Sequence, residues 1–330
     1  MPEQVSPASN GSGARRPRTW RWWALRAGIG VFVLVGGALG AQRALAPRAT
    51  SADLVYATRS PSQKLDLYLP PGPGPFPVVV YIHGGAFRVG DKREPFLGFY
   101  ADIRRLNALG IALASINYRM SGEAVFPAAV VDAKAAVRWL RANAARLNVN
   151  PDAIGVWGKS AGANLALQVA LTADDPALYD ASLGMADVSD RVQAAISMFG
   201  PTDFLSMDRQ LGAAGCGPGA MTHDAADSPE SRYIGAPIQQ NAALARQASP
   251  VSHLSATAPP MLIQAGTADC TVPGEQSREL YQLLLPVVGA ERVSLQMLEG
   301  AGHGDSRFDG KANLDVVADF LQGALLNHKR

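Results

Sequence analysis

The chain has 330 residues, of which 48% are hydrophobic and 18% charged, and its formal net charge is +2. A chain of this length and composition can bury one large core, or a core with an added cap. Residues 1–50 hold seven basic residues and one acidic residue, which leaves 23 basic and 27 acidic residues beyond them. Because a nucleic-acid-binding domain needs a basic face, this distribution argues against nucleic acid as a partner.

The first 50 residues predict a targeting segment. A start rich in Ser, Gly and Pro precedes a stretch rich in Arg and Trp, and an apolar run follows at residues 27–41. This order is typical of an export signal, and the run is shorter than the about 20 residues that a spanning helix needs. Because Pro47 disfavours cleavage after Ala46, an uncleaved membrane anchor with a cytoplasmic basic side is the alternative. We therefore expect an exported, extracytoplasmic domain or one anchored to the membrane by this segment.

Strand and helix patterns alternate over a predicted domain of residues 51–330. Strand-like runs lie at residues 65–69, 78–80, 111–116, 154–157, 194–199, 261–265 and 293–298. Several are apolar at nearly every position, which is typical of parallel strands that are covered on both faces. After Pro127, apolar residues recur at helical spacing as far as Leu147 and predict a helical face packed against the sheet.

A pair of glycines, Gly84 and Gly85, follows the predicted strand at residues 78–80 within the sequence His-Gly-Gly-Ala. Paired glycines allow a backbone to approach a substrate closely, although an ordinary glycine turn is the alternative. We expect His83 to order this loop rather than to act as a catalytic base.

A serine lies between a predicted strand and a predicted helix in the sequence Gly-Lys-Ser-Ala-Gly, residues 158–162. A sharp strand-to-helix turn of this kind projects one hydroxyl as a nucleophile, here Ser160, and its close backbone packing requires the flanking glycines. The turn also places the amide of Ala161 at a helix N-terminus, where it is free to bind an oxyanion. The motif alone is weak, so its interpretation depends on the other motifs of the chain.

One carboxylate and one histidine follow predicted strands near the C-terminus. Asp269 lies in the loop after residues 261–265, and His303 lies in a Gly-Ala-Gly-His-Gly loop after residues 293–298. A serine nucleophile needs an imidazole to accept its proton and a carboxylate to hold the tautomer of that imidazole. The sequence therefore predicts a triad of Ser160, His303 and Asp269.

Other residues compete for these roles. Asp203 also follows a predicted strand and is the alternative acid, but Asp269 directly precedes the helix and strand that lead to His303. Asp305 is expected at the surface. The remaining histidines lie in polar or terminal segments: His223, His253 and His328. Because neither a His-Glu-x-x-His sequence nor a paired-cysteine spacing occurs, we expect no metal.

The alternation of strands and helices breaks between residues 201 and 254, where Gly, Pro, Ser, Met and Asp are frequent. A long surface loop is one interpretation, but structureless loops of this length are uncommon, so we expect a cap insertion. Cys216 lies in this segment, and Cys270, the other cysteine, adjoins Asp269. An oxidising compartment would permit a disulfide between them, and two free buried thiols are the alternative.

Taken together, the motifs resemble the esterase/lipase branch of the α/β-hydrolases. The resemblance is carried by the His-Gly-Gly loop, by Asn117-Tyr118-Arg119 after a strand, and by the loops that hold Ser160, Asp269 and His303. It covers about residues 65–326 and is closest to bacterial feruloyl-esterase-like carboxylesterases. The fold that it implies is an α/β-hydrolase fold: a mostly parallel central sheet, helices on both faces and a cap at about residues 201–254.

The resemblance also implies an activity: hydrolysis of carboxylic esters with small or short-chain acyl groups through an acyl-enzyme, without a cofactor. Its oxyanion hole would be formed by the amides of Gly84, Gly85 and Ala161. Two departures from the family pattern bear on substrate preference, namely Ala86 in place of a third glycine and Lys159 before the serine. A peptidase related to prolyl oligopeptidases is an alternative, although the length leaves no room for a propeller. A non-catalytic hydrolase-fold binding protein is another, although no triad residue is missing.

Overall fold

A computed structural model of the chain describes residues 46–94, 97–173, 175–217 and 219–326. The predicted targeting segment lies outside the described residues except for its last five positions, and so does His328. The compact unit that carries the remaining predictions begins at Pro47. Within the described ranges, no helix is both long enough and apolar enough to cross a membrane.

The centre of this unit is one mostly parallel sheet. In the described part of the chain its eight strands have the order β1-β2-β4-β3-β5-β6-β7-β8. The first two strands pair antiparallel with their neighbours, and the other pairs are parallel. The strands are β1 (Ser51–Val55), β2 (Lys64–Tyr68), β3 (Phe76–Ile82), β4 (Ala112–Ile116), β5 (Val149–Lys159), β6 (Ala194–Met198), β7 (Met261–Gly266) and β8 (Val293–Leu298).

Helices cover both faces of the sheet. They are α1 (Leu97–Ala108), α2 (Ala128–Ala142), α3 (Ala144–Leu147), α4 (Ala161–Leu171), α5 (Met207–Ala213), α6 (Pro229–Ile234), α7 (Ala242–Gln247), α8 (Gly274–Val288) and α9 (Lys311–Leu321). Side chains of α2, α4 and α8 share one hydrophobic cluster, and those of α1 and α9 share the other. Alternate residues of β3 enter the two clusters, with Val80 in the first and Val79 in the second, which is why the whole strand is apolar.

The structure differs from the sequence prediction in several places. Strand β1 was not predicted, and β5 begins at Val149 rather than at Ile154. Two helical regions also differ. The apolar stripe after Pro127 is divided between two helices, because α2 ends at Ala142 and α3 begins at Ala144. Asn148 ends α3 in a left-handed conformation, with φ of 56°. The segment from 201 to 254 contains several short helical pieces: α5, α6, α7 and the 3₁₀ turns Ile238–Gln240 and Pro250–Ser252. We call residues 201–254 the insertion.

Candidate active site

The turn that holds Ser160 is strained and closely packed. Ser160 lies between the end of β5 and the start of α4 with φ of 55° and ψ of −124°, a conformation that L-residues rarely adopt. A Cβ atom on Gly158 would lie 2.0 Å from the carbonyl oxygen of Gly162, and one on Gly162 would lie 2.0 Å from that of Ile82. Both glycines are therefore required by the close approach of the backbone. The Ser160 N–H donates to the carbonyl oxygen of Met198 at 2.9 Å, which ties the turn to β6.

The structure brings Ser160, His303 and Asp269 together. The Oγ atom of Ser160 lies 2.9 Å from Nε2 of His303, and Nδ1 of His303 lies 2.7 Å from Oδ2 of Asp269. The other oxygen of Asp269 accepts from the N–H groups of Thr271 and Val272 at 2.8 and 2.9 Å. Because the Asp269 carboxylate accepts the Nδ1 proton, Nε2 is left to accept the proton of the serine hydroxyl.

Aromatic packing holds the His303 ring from the side. Phe199 and the imidazole pack in a T-shaped arrangement with ring centroids 4.9 Å apart, and Phe199 in turn packs on Phe308 at 4.6 Å. The His303 side chain is still 22% exposed, whereas that of Asp269 is fully buried. The imidazole is therefore reachable from the cavity, while its carboxylate partner is shielded from solvent.

The three residues predicted to form the oxyanion site lie near Ser160. Ala161 is the first residue of α4, so its N–H has no acceptor within the helix. Gly84 packs against the serine turn, because a Cβ on it would lie 2.9 Å from the carbonyl oxygen of Lys159. Gly85 has φ of 108°, and a Cβ there would lie 1.8 Å from the carbonyl oxygen of Val89. Gly84, Gly85 and Ala161 line the same cavity as the serine hydroxyl.

His83 orders the glycine loop, as the sequence predicts. Its Nδ1–H donates to the carbonyl oxygen of Gly84 at 2.8 Å, and its ring stacks on Tyr118 with centroids 4.7 Å apart. The hydroxyl of Tyr118 donates to the carbonyl oxygen of His83 at 2.9 Å. Burial lowers the pKa of His83, which favours the neutral ring.

The competing acids occupy other positions. Asp203 accepts from the N–H of Leu205 at 3.1 Å, and its own N–H donates to Oε1 of Gln276 at 2.7 Å. Asp305 is partly exposed at the edge of the cavity, where it pairs with Arg307 at 2.7 Å. His303 Nδ1 is bonded to Asp269, so the structure favours Asp269 over Asp203 as its partner.

The candidate residues open into a cavity of about 910 Å³. Its apolar lining includes Phe87, Val89, Phe99, Phe199, Met221 and Val272. Carboxylates also line it: Asp91, Glu94, Glu230, Asp305 and Asp309. Five of the lining residues, Pro201 and four from Met221 to Glu230, belong to the insertion, so this segment contributes to the wall as a cap would. Within the described residues, no cluster of His, Cys, Asp and Glu is arranged to hold a metal ion.

The insertion is attached to the Asp269 loop at two places. A disulfide joins Cys216 to Cys270, with Cα atoms 5.6 Å apart. The second link is His223, which is buried between Oε2 of Glu230 at 2.9 Å and the carbonyl oxygen of Thr271 at 2.8 Å. Sequence reasoning grouped His223 with residues of polar segments and missed this role. Nothing in its local sequence indicates it, because Thr271 is 48 residues away.

Comparisons with known proteins agree with this geometry. The BD-FAE family profile matches residues 65–284, which include Ser160 and Asp269. Esterase LipQ of Mycobacterium tuberculosis is 33% identical over 282 residues, covering 83% of this chain and 62% of LipQ. Esterase LipC of the same organism is 32% identical over 255 residues, covering 76% of this chain and 59% of LipC. The chain thus spans about 60% of the length of these relatives.

Solved structures of esterases superimpose on this chain. A truncated carbohydrate esterase from gut microbiota superimposes with a TM-score of 0.73 at 27% identity, covering 85% of this chain and 98% of that one. Esterase 2 of Thermogutta terrifontis, phosphonylated by sarin, superimposes with a TM-score of 0.67 at 25% identity. The match covers 84% of this chain and 96% of that one. The α/β-hydrolase fold implied by the motifs is therefore confirmed. Since the family profile extends over two thirds of its residues, the chain belongs to the BD-FAE family of α/β-hydrolase esterases.

Proposed function

We propose that the protein is a serine carboxylesterase that hydrolyses carboxylic esters with small or short-chain acyl groups. The observation that carries this proposal is the hydrogen-bonded series Ser160–His303–Asp269 at the edge of a mainly apolar cavity. The esterases among its relatives support the reaction class.

The reaction follows from the positions of these groups. Ser160 Oγ attacks the ester carbonyl carbon while His303 Nε2 takes the hydroxyl proton, and Asp269 stabilises the resulting imidazolium. His303 then gives this proton to the departing alcohol, which leaves an acyl-enzyme. Water attacks that acyl group with the same histidine as base, and the acid is released.

The developing oxyanion needs donors that are in place before the reaction. The amides of Gly84, Gly85 and Ala161 line the cavity beside Ser160 and are proposed to supply them. Each such donor contributes about 3 kcal/mol to transition-state stabilisation, and the reaction requires no cofactor.

The proposed preference for a small acyl group is supported by one solved structure. One structure of the Thermogutta terrifontis esterase is described as propionate-bound, at 25% identity and a TM-score of 0.62. The cavity is larger than a short acyl group requires, so we propose that much of it receives the alcohol part of the ester.

A panel of p-nitrophenyl esters from acetate to laurate, run beside methyl ferulate and a proline-containing peptide amide, tests the proposal. We expect kcat/KM to be highest for acetate to butyrate and to fall steeply for laurate. A preference for laurate would indicate a lipase, and cleavage of the amide would indicate a peptidase. Absence of turnover on every substrate would support a binding protein of hydrolase fold.

We further propose that the protein acts outside the cytoplasm, either exported or held at the membrane by its arginine-rich apolar segment. The disulfide between Cys216 and Cys270 supports this location, because such bonds persist in oxidising compartments. Fractionation of cells that express the full chain, with N-terminal sequencing of the product, distinguishes a cleaved signal from an anchor. Recovery of uncleaved protein with reduced cysteines in the cytoplasm would contradict the proposal.

A further inference from the structure

Lys159 is the last residue of β5 and directly precedes the proposed nucleophile, Ser160. Its side chain is only 13% exposed, and its ammonium group is held by two carboxylates. Nζ lies 2.9 Å from Oδ2 of Asp102 and 2.7 Å from Oδ1 of Asp309. The ammonium group also lies over two buried aromatic rings, with Nζ 5.9 Å from the centre of Tyr81 and 5.5 Å from that of Trp157.

The two carboxylates belong to different parts of the chain. Asp102 lies in α1 and is fully buried, whereas Asp309 ends the 3₁₀ turn Ser306–Asp309 that follows His303. One ammonium group therefore joins the serine turn to α1 and to the loop that carries the imidazole. These partners are 57 and 150 residues away from Lys159, so local sequence does not reveal the link.

The position of Asp309 is closely defined by its neighbours. A Cβ atom on Gly98 of α1 would lie 2.1 Å from Oδ2 of Asp309, so the carboxylate fits against bare backbone. The preceding residue, Phe308, packs on Phe199, which in turn packs on His303. A displacement of Asp309 would therefore reach the imidazole through two aromatic contacts.

We propose that Lys159 is a positioning residue for ester hydrolysis, which holds the His303 loop at the correct distance from Ser160 through its bond to Asp309. Asp269 determines the tautomer and anchors one side of the imidazole, and the Lys159–Asp309 bond anchors the loop on the side of the serine turn. This inference rests on the proposed esterase function.

Replacement of Asp309 tests the inference without leaving a buried charge unpaired, since Lys159 keeps Asp102 as its partner. Misplacement of a catalytic group by about 1 Å can reduce turnover by about a hundredfold. For Asp309→Ala we expect kcat on p-nitrophenyl acetate to fall by about tenfold or more, with KM changed by less than about twofold. Asp309→Asn retains an acceptor oxygen and should fall between wild type and Asp309→Ala.

A matched control uses another ion pair between α1 and the C-terminal part of the chain. Arg105 of α1 bonds to Asp315 of α9 at 2.7 Å, and both side chains are more than a third exposed. Arg105→Ala breaks this pair without touching the serine turn. We expect its kcat to stay within about twofold of wild type, as a partly exposed pair contributes little.

Reaction with a p-nitrophenyl alkylphosphonate separates geometry from folding. The stoichiometry of nitrophenol release counts folded sites, and the rate reports whether His303 can activate Ser160. We expect full stoichiometry for Asp309→Ala and a rate reduced in the same proportion as kcat. Asp309→Asn supplies the same comparison if the alanine variant does not fold.

Three outcomes would overturn the inference: an unchanged phosphonylation rate in both variants, a rise in KM at constant kcat, or an equal loss in Arg105→Ala. The second would place Lys159 and Asp309 in substrate binding instead. Failure of the esterase function is recognised separately, because wild-type protein would then neither turn over esters nor react with the phosphonate.

Discussion

Ser160 combines a hydroxyl within hydrogen-bond distance of His303 with an unfavourable backbone conformation. A non-glycine residue at φ of 55° costs about 1–3 kcal/mol, and this cost is tolerated because the turn presents the hydroxyl to the cavity. Ser160→Ala should abolish ester turnover because it removes the hydroxyl. It should not relieve the backbone strain, because alanine keeps a Cβ atom. Ser160→Gly should be equally inactive and melt no lower than Ser160→Ala, because glycine adopts this conformation freely. Thermal unfolding and p-nitrophenyl acetate assays test both expectations, and near-wild-type turnover by either variant would refute the role of Ser160.

The assignment of the acid is open to a direct comparison of two carboxylates. Asp269→Asn should lower kcat by about 10⁴, because the amide cannot hold the tautomer in which Nε2 accepts the serine proton. Asp203→Asn should lower kcat by less than about tenfold, since Asp203 bonds to backbone of its own turn. Steady-state kinetics on p-nitrophenyl acetate distinguish the two. A larger loss in the Asp203 variant would assign the acid to the loop after β6.

Among the elements, the insertion is linked to the Asp269 loop through His223, and we expect this link to depend on the charge of the imidazole. Both ring nitrogens face acceptors, the carboxylate of Glu230 on α6 and the carbonyl oxygen of Thr271, so both must carry protons. A second carboxylate, Asp208 on α5, accepts from the backbone N–H of His223 at 2.7 Å. Burial, the largest single influence, opposes protonation. The bond to Glu230 and its charge, together with the Thr271 carbonyl and the charge of Asp208, outweigh burial and raise the pKa of His223.

The pH dependence of this link has a definite sign. Because the pKa is higher in the folded protein, the stabilisation is complete below the unfolded pKa of about 6.5 and is lost as the pH rises through the folded pKa. We expect the melting temperature of wild type to exceed that of His223→Gln most at pH below 6.5 and progressively less at alkaline pH. Calorimetry of both proteins from below pH 6.5 to alkaline pH tests this expectation. A difference in melting temperature that grows with pH would contradict the assignment of a cationic His223.

Strands and the residues that follow them were easier to predict from the sequence than contacts between distant parts of the chain. Strands such as β3 were predictable because burial on both faces requires apolar residues throughout, and Ser160, Asp269 and His303 were predictable because each follows a strand. The buried roles of His223 and Lys159 depend on partners far away in the chain, and no local pattern encodes these contacts. The helices of the insertion were missed because they are short and polar residues interrupt their periodicity.

At the scale of the whole molecule, strand order determines where the chemistry lies. β5, β6, β7 and β8 are adjacent and parallel, so the loops at their carboxyl ends meet at one edge of the sheet. The insertion leaves the sheet after β6 and returns before β7, which brings Cys216 to the Asp269 loop. We therefore expect this one covalent bond to link the stability of the fold to access to the site.

The disulfide between Cys216 and Cys270 should therefore affect both folding and turnover. It joins residues 54 positions apart, and closing a loop of that size stabilises the folded state by about 4 kcal/mol in the chain-entropy model. Reduction should lower the melting temperature and change ester turnover, because Cys270 adjoins Asp269 and the insertion lines the cavity. The Cys216→Ser/Cys270→Ser protein should melt at the lower temperature and be insensitive to reductant. Thiol titration of unreduced, denatured protein is an independent check, because two free thiols per chain would contradict the bond. If reductant changed the melting temperature and turnover equally in wild type and in the double variant, these changes would not arise from the disulfide.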